Sequence, residues 1–255
     1  MGESTGRARD PIAVPRGVGE SRYFLTREVP LLLREIAERE PPRELVDLGC
    51  GEGSLIWSLA QVRLLPGRVF AVDLSRERLE TAAAISPKVT AIAADVTAVD
   101  ELGDACVDAV MCSQVIEHLP DDRRLAPEIA RILRPGGWFY VSSVIRDRHA
   151  WWIYRRDGRA IVDPSHEREY RSPQELAEAL AHEALAIERV RVVPLRFPVC
   201  DLFLRLLVAA RLLSRSSLPT FYARAPRWLE LTRRLRIRVP GYSWIEVSGH
   251  RCERA

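Results

Sequence analysis

A glycine-rich run directly after a short apolar strand constrains the fold of this chain more than any other feature. The run DLGCGEG at residues 47–53 overlaps the end of the apolar stretch 45–48 and precedes a helical pattern at 54–62. Glycines at such a turn let the chain bend sharply and let a ligand approach the backbone, because they carry no Cβ atom. The run therefore predicts a strand–turn–helix unit that binds a nucleotide-like ligand.

Strand-like and helix-like patterns alternate along most of the chain. Short apolar strands that alternate with helices are typical of right-handed βαβ units, which build a parallel sheet with helices on both faces. The predicted strands are 45–48, 68–72, 89–93, 108–112, 138–144, 186–194 and 243–251, and the predicted helices are 21–38 (interrupted at Pro30), 54–62, 76–84, 122–133 and 172–182. The fold class is therefore α/β, with a mostly parallel sheet.

Acidic residues close two of these strands. Asp73 ends the second strand, where a carboxylate can accept hydrogen bonds from both hydroxyls of a ribose. Asp95 follows the third strand and is placed to meet an adenine amino group. The glycines are spaced as GxGxG rather than GxGxxG, and Asp47 precedes them where dinucleotide-binding folds usually carry an apolar residue. These features favour a nucleoside ligand without a pyrophosphate over a nicotinamide dinucleotide.

The run at 47–53, Asp73, Asp95 and the segment VMCSQVIEHLP at 110–120 together resemble class I S-adenosylmethionine (SAM) dependent methyltransferases. The resemblance covers residues 21–195. It implies a Rossmann-like, seven-stranded, mostly parallel sheet whose last strand is antiparallel, with helices on both faces. It also implies that SAM is the cofactor.

The same resemblance implies which residues contact SAM. The backbone of Gly49 and Gly51 is expected against the methionine portion, Asp73 at the ribose, and Ser113 at the methionine end. Arg22 either reaches the methionine carboxylate or is an exposed helix arginine. Asp95 and Val96 are expected to frame the adenine. The full cofactor-binding set is Arg22, Asp47, Gly49, Cys50, Gly51, Asp73, Leu74, Asp95, Val96 and Ser113.

The chain resembles the small-molecule methyltransferases of the ubiquinone and menaquinone biosynthesis type. Two further elements, EHLP at 117–120 and Ser165-His166, look like those of the quinone O-methyltransferases of ubiquinone synthesis. In the ubiquinone enzymes the acceptor is a phenol on a lipid-tailed ring. The resemblance makes His166, His118 and Glu117 the candidate catalytic residues, with His166 as general base or acceptor contact. Alternatively, Glu117 caps the following segment and His118 is a packed, partly buried histidine.

A divalent metal is associated with that family, through the Glu-His pair and an extra acidic residue where Gln114 stands here. An amide is a poorer ligand for a hard cation than a carboxylate. We therefore assign no metal ligands from the sequence.

A basic insertion at 198–238 separates the last two predicted strands. Residues 196–238 contain ten arginines and only two acidic residues, although the net charge of the chain is +3. Leucines and aromatic residues alternate with these arginines, so the insertion either caps the acceptor pocket or contacts an anionic membrane surface. It is too short and too charged to span a bilayer, and its aliphatic residues do not favour nucleic acid.

The cysteines and the N-terminal residues indicate where the protein is located in the cell and how the chain is divided into domains. The five cysteines include no CxxC pair, which argues against disulfides and structural zinc and favours a cytoplasmic protein. If the insertion contacts lipid, the protein is expected to be peripheral at the inner face of the membrane. Residues 1–20 lack an apolar core and are expected to form a mobile tail before one methyltransferase domain at 21–255. We expect methyl transfer to a small, hydrophobic or lipid-linked acceptor, at oxygen; the alternative is a SAM-binding module without catalysis.

Overall fold

The computed structural model describes residues 28–148, 150, 154–156, 159–161, 165–199, 207, 210–212 and 226–253. The expected tail at 1–20 and Arg22 lie outside the described residues. So does most of the insertion at 198–238.

A seven-stranded sheet forms the centre of the molecule, and its strand order is β3-β2-β1-β4-β5-β9-β8. Strands β1 to β5 are parallel, whereas β9 runs antiparallel to both β5 and β8. The predicted mostly parallel sheet with an antiparallel last strand is confirmed. The strands of the described residues, including a separate two-stranded hairpin of β6 and β7, are β1 (Glu44–Leu48), β2 (Arg68–Asp73), β3 (Val89–Ala93), β4 (Val107–Ser113), β5 (Leu133–Arg146), β6 (Tyr154–Arg156), β7 (Arg159–Ile161), β8 (Leu185–Pro198) and β9 (Arg236–Arg251).

Helices cover both faces of the sheet, as predicted. Successive side chains of a strand point to opposite faces. In β4, Val110 packs in a core cluster with α4 and α5, whereas Met111 packs in a second cluster with α1, α2 and α3. Within the described residues, the α-helices are α1 (Leu31–Arg39), α2 (Ser54–Gln61), α3 (Arg76–Ala83), α4 (Leu125–Ile132), α5 (Pro173–Ala179) and α6 (Pro226–Arg234).

Local sequence explains where several helices begin. Helix α1 starts directly after Pro30, whose ring fixes φ and supplies no N–H. The first part of the predicted stripe, at 21–27, lies outside the described residues. The side chain of Ser75 accepts a hydrogen bond from the Arg78 N–H and caps α3. Ser172 caps α5 in the same way through the Glu175 N–H. Such caps satisfy backbone groups that a helix leaves unpaired at its start.

The largest departures from the predicted boundaries are in β5, β8 and β9. Strand β5 pairs Leu133 with Val107 and then Trp138 with Ala109, so the predicted turn at 134–137 bulges out of a longer strand. Strands β8 and β9 extend past the end of β5 and pair only with each other there, as far as Pro198 with Arg236. Residues 236–238, assigned to the insertion from the sequence, therefore begin β9.

Candidate cofactor and acceptor site

The glycine loop between β1 and α2 takes the backbone shape that its composition predicts. Gly49, Gly51 and Gly53 have φ values of 76°, 54° and 80°. A Cβ atom on Gly49 would lie 2.3 Å from Val115 Cγ2, and one on Gly53 would lie 2.5 Å from Ile85 Cδ1. A Cβ atom on Gly51 would meet no atom of the described residues within 4 Å. Gly49 and Gly53 are thus required by packing, whereas Gly51 borders open space in which a ligand can lie.

The buried carboxylate of Asp73, at the end of β2, braces this loop. Its Oδ2 accepts a hydrogen bond of 2.9 Å from the Gly51 N–H, and its Oδ1 accepts one of 2.9 Å from the Ser75 N–H. The sequence places Asp73 at a strand end but does not reveal this bracing. Its position at the carboxyl edge of β2, beside Gly51, is the one from which a carboxylate can receive ribose hydroxyls.

Asp47 and Cys50 are buried on either side of Gly49. Asp47 lies near the end of β1 with 2% of its surface exposed. The Cys50 thiol donates a hydrogen bond to the Gly51 carbonyl. Burial, followed by the charges of Asp47 and Asp73, raises the pKa of this thiol, so it remains protonated at neutral pH. Cys50 is therefore a packing residue of the loop rather than a nucleophile.

Leu74, Asp95 and Val96 lie at the rim beside Asp73. Leu74 is 77% exposed, which is unusual for a leucine and leaves an apolar surface beside the expected ribose position. Asp95 is exposed and its carboxylate accepts hydrogen bonds from the backbone N–H and the hydroxyl of Thr97. The Val96 side chain packs in the core, so only its backbone is left to contact an adenine.

Strand β4 brings Ser113 and Gln114 to the same edge, at the switch in strand order between β1 and β4. The hydroxyls of Ser113 and Ser142 are hydrogen bonded at 2.7 Å, and the Gln114 N–H donates to the Ser142 carbonyl. Gln114 has φ 62°, which is uncommon for a residue with a side chain. Its Nε2 is buried, and no described residue accepts a hydrogen bond from it.

Glu117, His118 and His166 form a cluster beyond the end of β4. One ligand-type atom from each residue lies within 4.8 Å of those of the other two. The rings of His118 and His166 meet edge to face with their centroids 4.8 Å apart. Glu117 is 1% exposed and His166 is 8% exposed. The structure thus brings together three predicted catalytic residues from segments nearly fifty positions apart.

Backbone hydrogen bonds hold the segment that carries His166 against the end of β4. The carbonyl of Glu117 accepts from the N–H groups of Glu167 and Arg168 at 3.0 and 3.2 Å. The His118 Nδ1 lies 3.1 Å from the Ser165 carbonyl oxygen. Because a carbonyl can only accept, Nδ1 carries the hydrogen and, in the neutral ring, Nε2 carries the lone pair.

Arg168 and Tyr170 lock the same segment in place. The Arg168 guanidinium donates to the carbonyls of Leu119 and Pro120 and pairs with the Asp122 carboxylate at 2.7 Å. The hydroxyl of Tyr170 donates to the other oxygen of Asp122 at 2.7 Å. Composition and spacing gave no sign of this network, because it links residues 46 and 48 positions apart through side chains that are common on surfaces.

The buried carboxylate of Glu117 lies beside two imidazoles and the Ser143 hydroxyl. Burial raises its pKa, while a backbone N–H, the neighbouring His118 and His166 and the Ser143 hydroxyl act in the opposite direction. Glu117 does not cap the following segment, which was one of the alternatives, because Asp121 accepts the Arg123 N–H there. A buried carboxylate beside two imidazoles is suited to proton transfer.

The described part of the insertion contacts the body of the protein and also presents apolar surface. Leu207 and Trp228 pack against the core cluster of α1, α2 and α3. Leu231, Leu235 and Ile237 are 40%, 48% and 50% exposed. Three exposed arginines, Arg227, Arg234 and Arg238, lie on the same short stretch. Within the described residues, none of the helices has the length and apolar character needed to cross a bilayer.

Comparisons with known proteins agree with this geometry. A family model described as a methyltransferase domain matches residues 46–141. The ubiquinone biosynthesis O-methyltransferase of Xylella fastidiosa is 30% identical over 173 residues, which are 63% of this chain and 69% of that protein. The protein of the same name from Burkholderia thailandensis is 32% identical over 119 residues, 44% of this chain and 49% of the relative.

The chain spans only about half the length of that Burkholderia relative. Among solved structures, the YcgJ protein of Bacillus subtilis superimposes with a TM-score of 0.58 at 16% identity, covering 88% of this chain and 97% of that one. This likeness concerns the fold alone. The matched sequences agree with the glycine loop, the acidic strand ends and the strand order. The chain therefore belongs to the class I SAM-dependent methyltransferases, and its cofactor is SAM.

Proposed function

We propose that this protein transfers the methyl group of SAM to an oxygen of a small hydrophobic acceptor, of the lipid-linked phenol type. The observation that carries the proposal is the cluster of Glu117, His118 and His166 at the edge of the sheet where the glycine loop also lies. A hydroxyl becomes a good nucleophile only when its proton is removed, and these are the groups that can assist. The names of the relatives support an oxygen acceptor.

The chemistry needs alignment more than covalent participation by the protein. The acceptor oxygen forms a bond to the methyl carbon as the carbon–sulfur bond breaks, and the positively charged sulfonium becomes the neutral thioether S-adenosylhomocysteine. The hydroxyl proton leaves toward the cluster. Holding both reactants in line and excluding water supplies much of the rate enhancement. The hydrogen bonds of Arg168 and Tyr170, which fix the segment at 165–170, support a role for His166 in positioning the acceptor.

A direct assay tests the transfer. Labelled SAM is incubated with the full chain and a catechol that carries an alkyl tail, beside the same ring with both hydroxyls already methylated. We expect label on the catechol only, and replacing His166 or His118 by Ala should lower the rate about a hundredfold. His182→Ala, at a histidine outside the cluster, is the matched control.

Tight SAM binding without transfer to any hydroxyl acceptor would contradict the proposal and favour a SAM-binding module without catalysis. Transfer of the label to nitrogen or carbon in a panel of acceptors would contradict the choice of oxygen. Either result leaves the family assignment intact.

We further propose that the insertion docks this cytoplasmic protein on an anionic membrane surface, where a lipid-linked acceptor is available. Support comes from the exposed Leu231, Leu235 and Ile237 beside exposed arginines. Flotation with vesicles that contain phosphatidylglycerol measures it. The variant with Arg227→Glu and Arg238→Glu should lose binding, whereas Arg123→Glu with Arg124→Glu, at an exposed site elsewhere, should not. Equal loss in both variants would contradict a specific docking surface.

A further inference from the structure

We propose that Glu169 is a positioning residue for methyl transfer, because its carboxylate orients the His166 imidazole so that Nε2 accepts the proton of the acceptor hydroxyl. The proposal rests on the proposed function, since it concerns the group that removes that proton. Glu169 Oε1 lies 3.8 Å from His166 Nδ1, and each side chain is only 8% exposed. A carboxylate buried beside an imidazole affects which ring nitrogen carries the hydrogen.

Arg146, at the end of β5, fixes the Glu169 carboxylate. The Arg146 Nε lies 2.9 Å from Glu169 Oε2, so one oxygen pairs with the guanidinium while the other faces His166. Buried charges in proteins are stable when they are paired in this way. The Arg146 backbone N–H also donates to the Tyr170 carbonyl at 2.9 Å. The carboxylate and the main chain next to it are therefore both held by the central sheet.

Tyr242 completes the surroundings of this carboxylate from the neighbouring strand. It lies on β9 opposite Arg146 in the strand register and is buried. Burial, followed by the charge of Glu169, raises the pKa of Tyr242, so its phenol stays neutral at pH 7. Tyr242 therefore adds no charge that competes with Arg146 or with His166 for the carboxylate.

The chemistry requires one particular form of the His166 ring. A neutral imidazole accepts a proton at only one nitrogen, because the other already carries hydrogen. A carboxylate beside Nδ1 favours hydrogen on Nδ1 and leaves the lone pair on Nε2, and it stabilises the imidazolium that forms, as the acidic residue of a Ser-His-Asp triad does. The acceptor O–H bond breaks as its proton moves to Nε2. The oxygen–carbon bond forms, and the carbon–sulfur bond breaks with its electron pair left on sulfur.

The contact of 3.8 Å is longer than the roughly 3 Å of an N–H···O hydrogen bond. Hydrogen bonds that orient a catalytic group are often long in the free enzyme and shorten when the reactants bind. The two residues are three positions apart on one segment, so a side-chain rotation is sufficient to close the gap. The alternative is that Glu169 only stabilises the segment through Arg146, and the two roles give different kinetics.

A double-mutant cycle on the full chain distinguishes these roles. Transfer from SAM to the alkyl-tailed catechol is measured for Glu169→Gln, for His166→Ala and for the double variant. Glu169→Gln should lower kcat about tenfold and leave the KM for SAM unchanged. In the His166→Ala background the same change should have no further effect, because Glu169 acts through the ring. Glu167→Gln, at an exposed carboxylate on the same segment, is the matched control and should keep the full kcat.

Nitrogen NMR tests the form of the ring without any acceptor. The chain has five histidines, and the signals of His166 are those lost in His166→Gln. At a pH where the ring is neutral, we expect the chemical shifts of the form with hydrogen on Nδ1. Glu169→Gln should move them toward the form with hydrogen on Nε2. Glu169→Asp, which keeps the charge, should retain more of the original form and more of the rate than Glu169→Gln.

SAM affinity, measured on every variant, shows that each is folded. If Glu169→Gln lowers kcat equally with and without His166, or leaves the ring form unchanged, the positioning role is overturned while methyl transfer to oxygen stands. Absence of transfer to any hydroxyl acceptor by the unaltered chain would instead overturn the proposed function. The nitrogen spectra, which need no acceptor, then still decide whether Glu169 orients the His166 ring.

Discussion

The two halves of the site differ in how far along the chain their stabilising contacts reach. In the donor half, residues 44–98, the Asp73 carboxylate accepts hydrogen bonds from the Gly51 and Ser75 N–H groups, which are close in sequence. In the acceptor half, residues 107–122 and 165–170, the Glu117 carbonyl accepts from the Glu167 N–H, and Arg168 pairs with Asp122. The donor half is therefore held by local contacts, whereas the acceptor half depends on a return of the chain over nearly fifty residues.

The largest expected effect is on the donor half. Asp73→Ala removes the carboxylate that is expected to accept the ribose hydroxyls and that braces the loop. Two hydrogen bonds from the ribose to a carboxylate contribute roughly 3 kcal/mol, so SAM affinity should fall about a hundredfold. Calorimetry with SAM measures this, with Asp100→Ala, at an exposed carboxylate, as control. Unchanged affinity for the Asp73 variant would break the assignment of the donor half.

A pair of glycine variants separates packing from ligand contact. Gly49→Ala places a methyl group against Val115 at a positive φ and should lower the free energy of unfolding by about 3 kcal/mol. Gly51→Ala meets no described atom, so it should cost only about 1 kcal/mol of backbone strain but should weaken SAM binding strongly. Urea denaturation and calorimetry give both quantities. If Gly51→Ala binds SAM normally, the open space beside it is not the cofactor position.

In the acceptor half, Glu117→Gln should stabilise the protein. Folding raises the pKa of this carboxyl above its ordinary value, mainly through burial, so ionisation at neutral pH opposes folding. The variant should gain about 1 to 2 kcal/mol at pH 7, and the gain should vanish below about pH 4, where the carboxyl is protonated in both states. SAM affinity should not change. A less stable variant would show that Glu117 already has a compensating partner.

Loosening the segment at 165–170 should affect transfer but not SAM binding. Arg168→Gln removes the ion pair with Asp122 and the bonds to two carbonyls, which together contribute about 2 kcal/mol. We expect a roughly tenfold lower transfer rate because His166 is less well fixed. Arg171→Gln, at the exposed residue directly after this segment, is the matched control. A parallel loss of SAM affinity would mean that the two halves are not independent.

The smallest effect concerns the adenine end of the donor half. Asp95 is exposed and already holds Thr97, so Asp95→Ala should weaken SAM binding only about fivefold, or near 1 kcal/mol. Asp95→Asn, which keeps an acceptor for Thr97, should lose less. A loss as large as that of Asp73→Ala would show that the adenine amino group, rather than the ribose, dominates recognition.

The same contrast explains what the sequence could and could not predict. The glycine loop and Asp73 are local, so their spacing along the chain fixes their positions once a strand and a helix are recognised. The meeting of His166 with Glu117 depends on a return of the chain over nearly fifty residues, and only the resemblance to quinone enzymes suggested it.

Strand ends were also hard to predict where pairing rather than composition sets them. Strand β8 continues to Pro198 and β9 begins at Arg236 because each supplies hydrogen-bond partners to the other beyond the end of β5. Arginine and proline are poor strand formers by composition, so the pattern suggested an end to the strand at 194 and a start at 243. Tertiary pairing overrode local preference there.

The insertion leaves and rejoins the sheet at a single closed stem. Pro198 pairs with Arg236, and the Val199 N–H donates to the Leu235 carbonyl at 2.9 Å. Because the two ends are already adjacent, the length of the intervening chain has little effect on the cost of closing it. A graft that replaces the chain between residues 199 and 235 is therefore expected to leave the strand pairing of β8 and β9 intact.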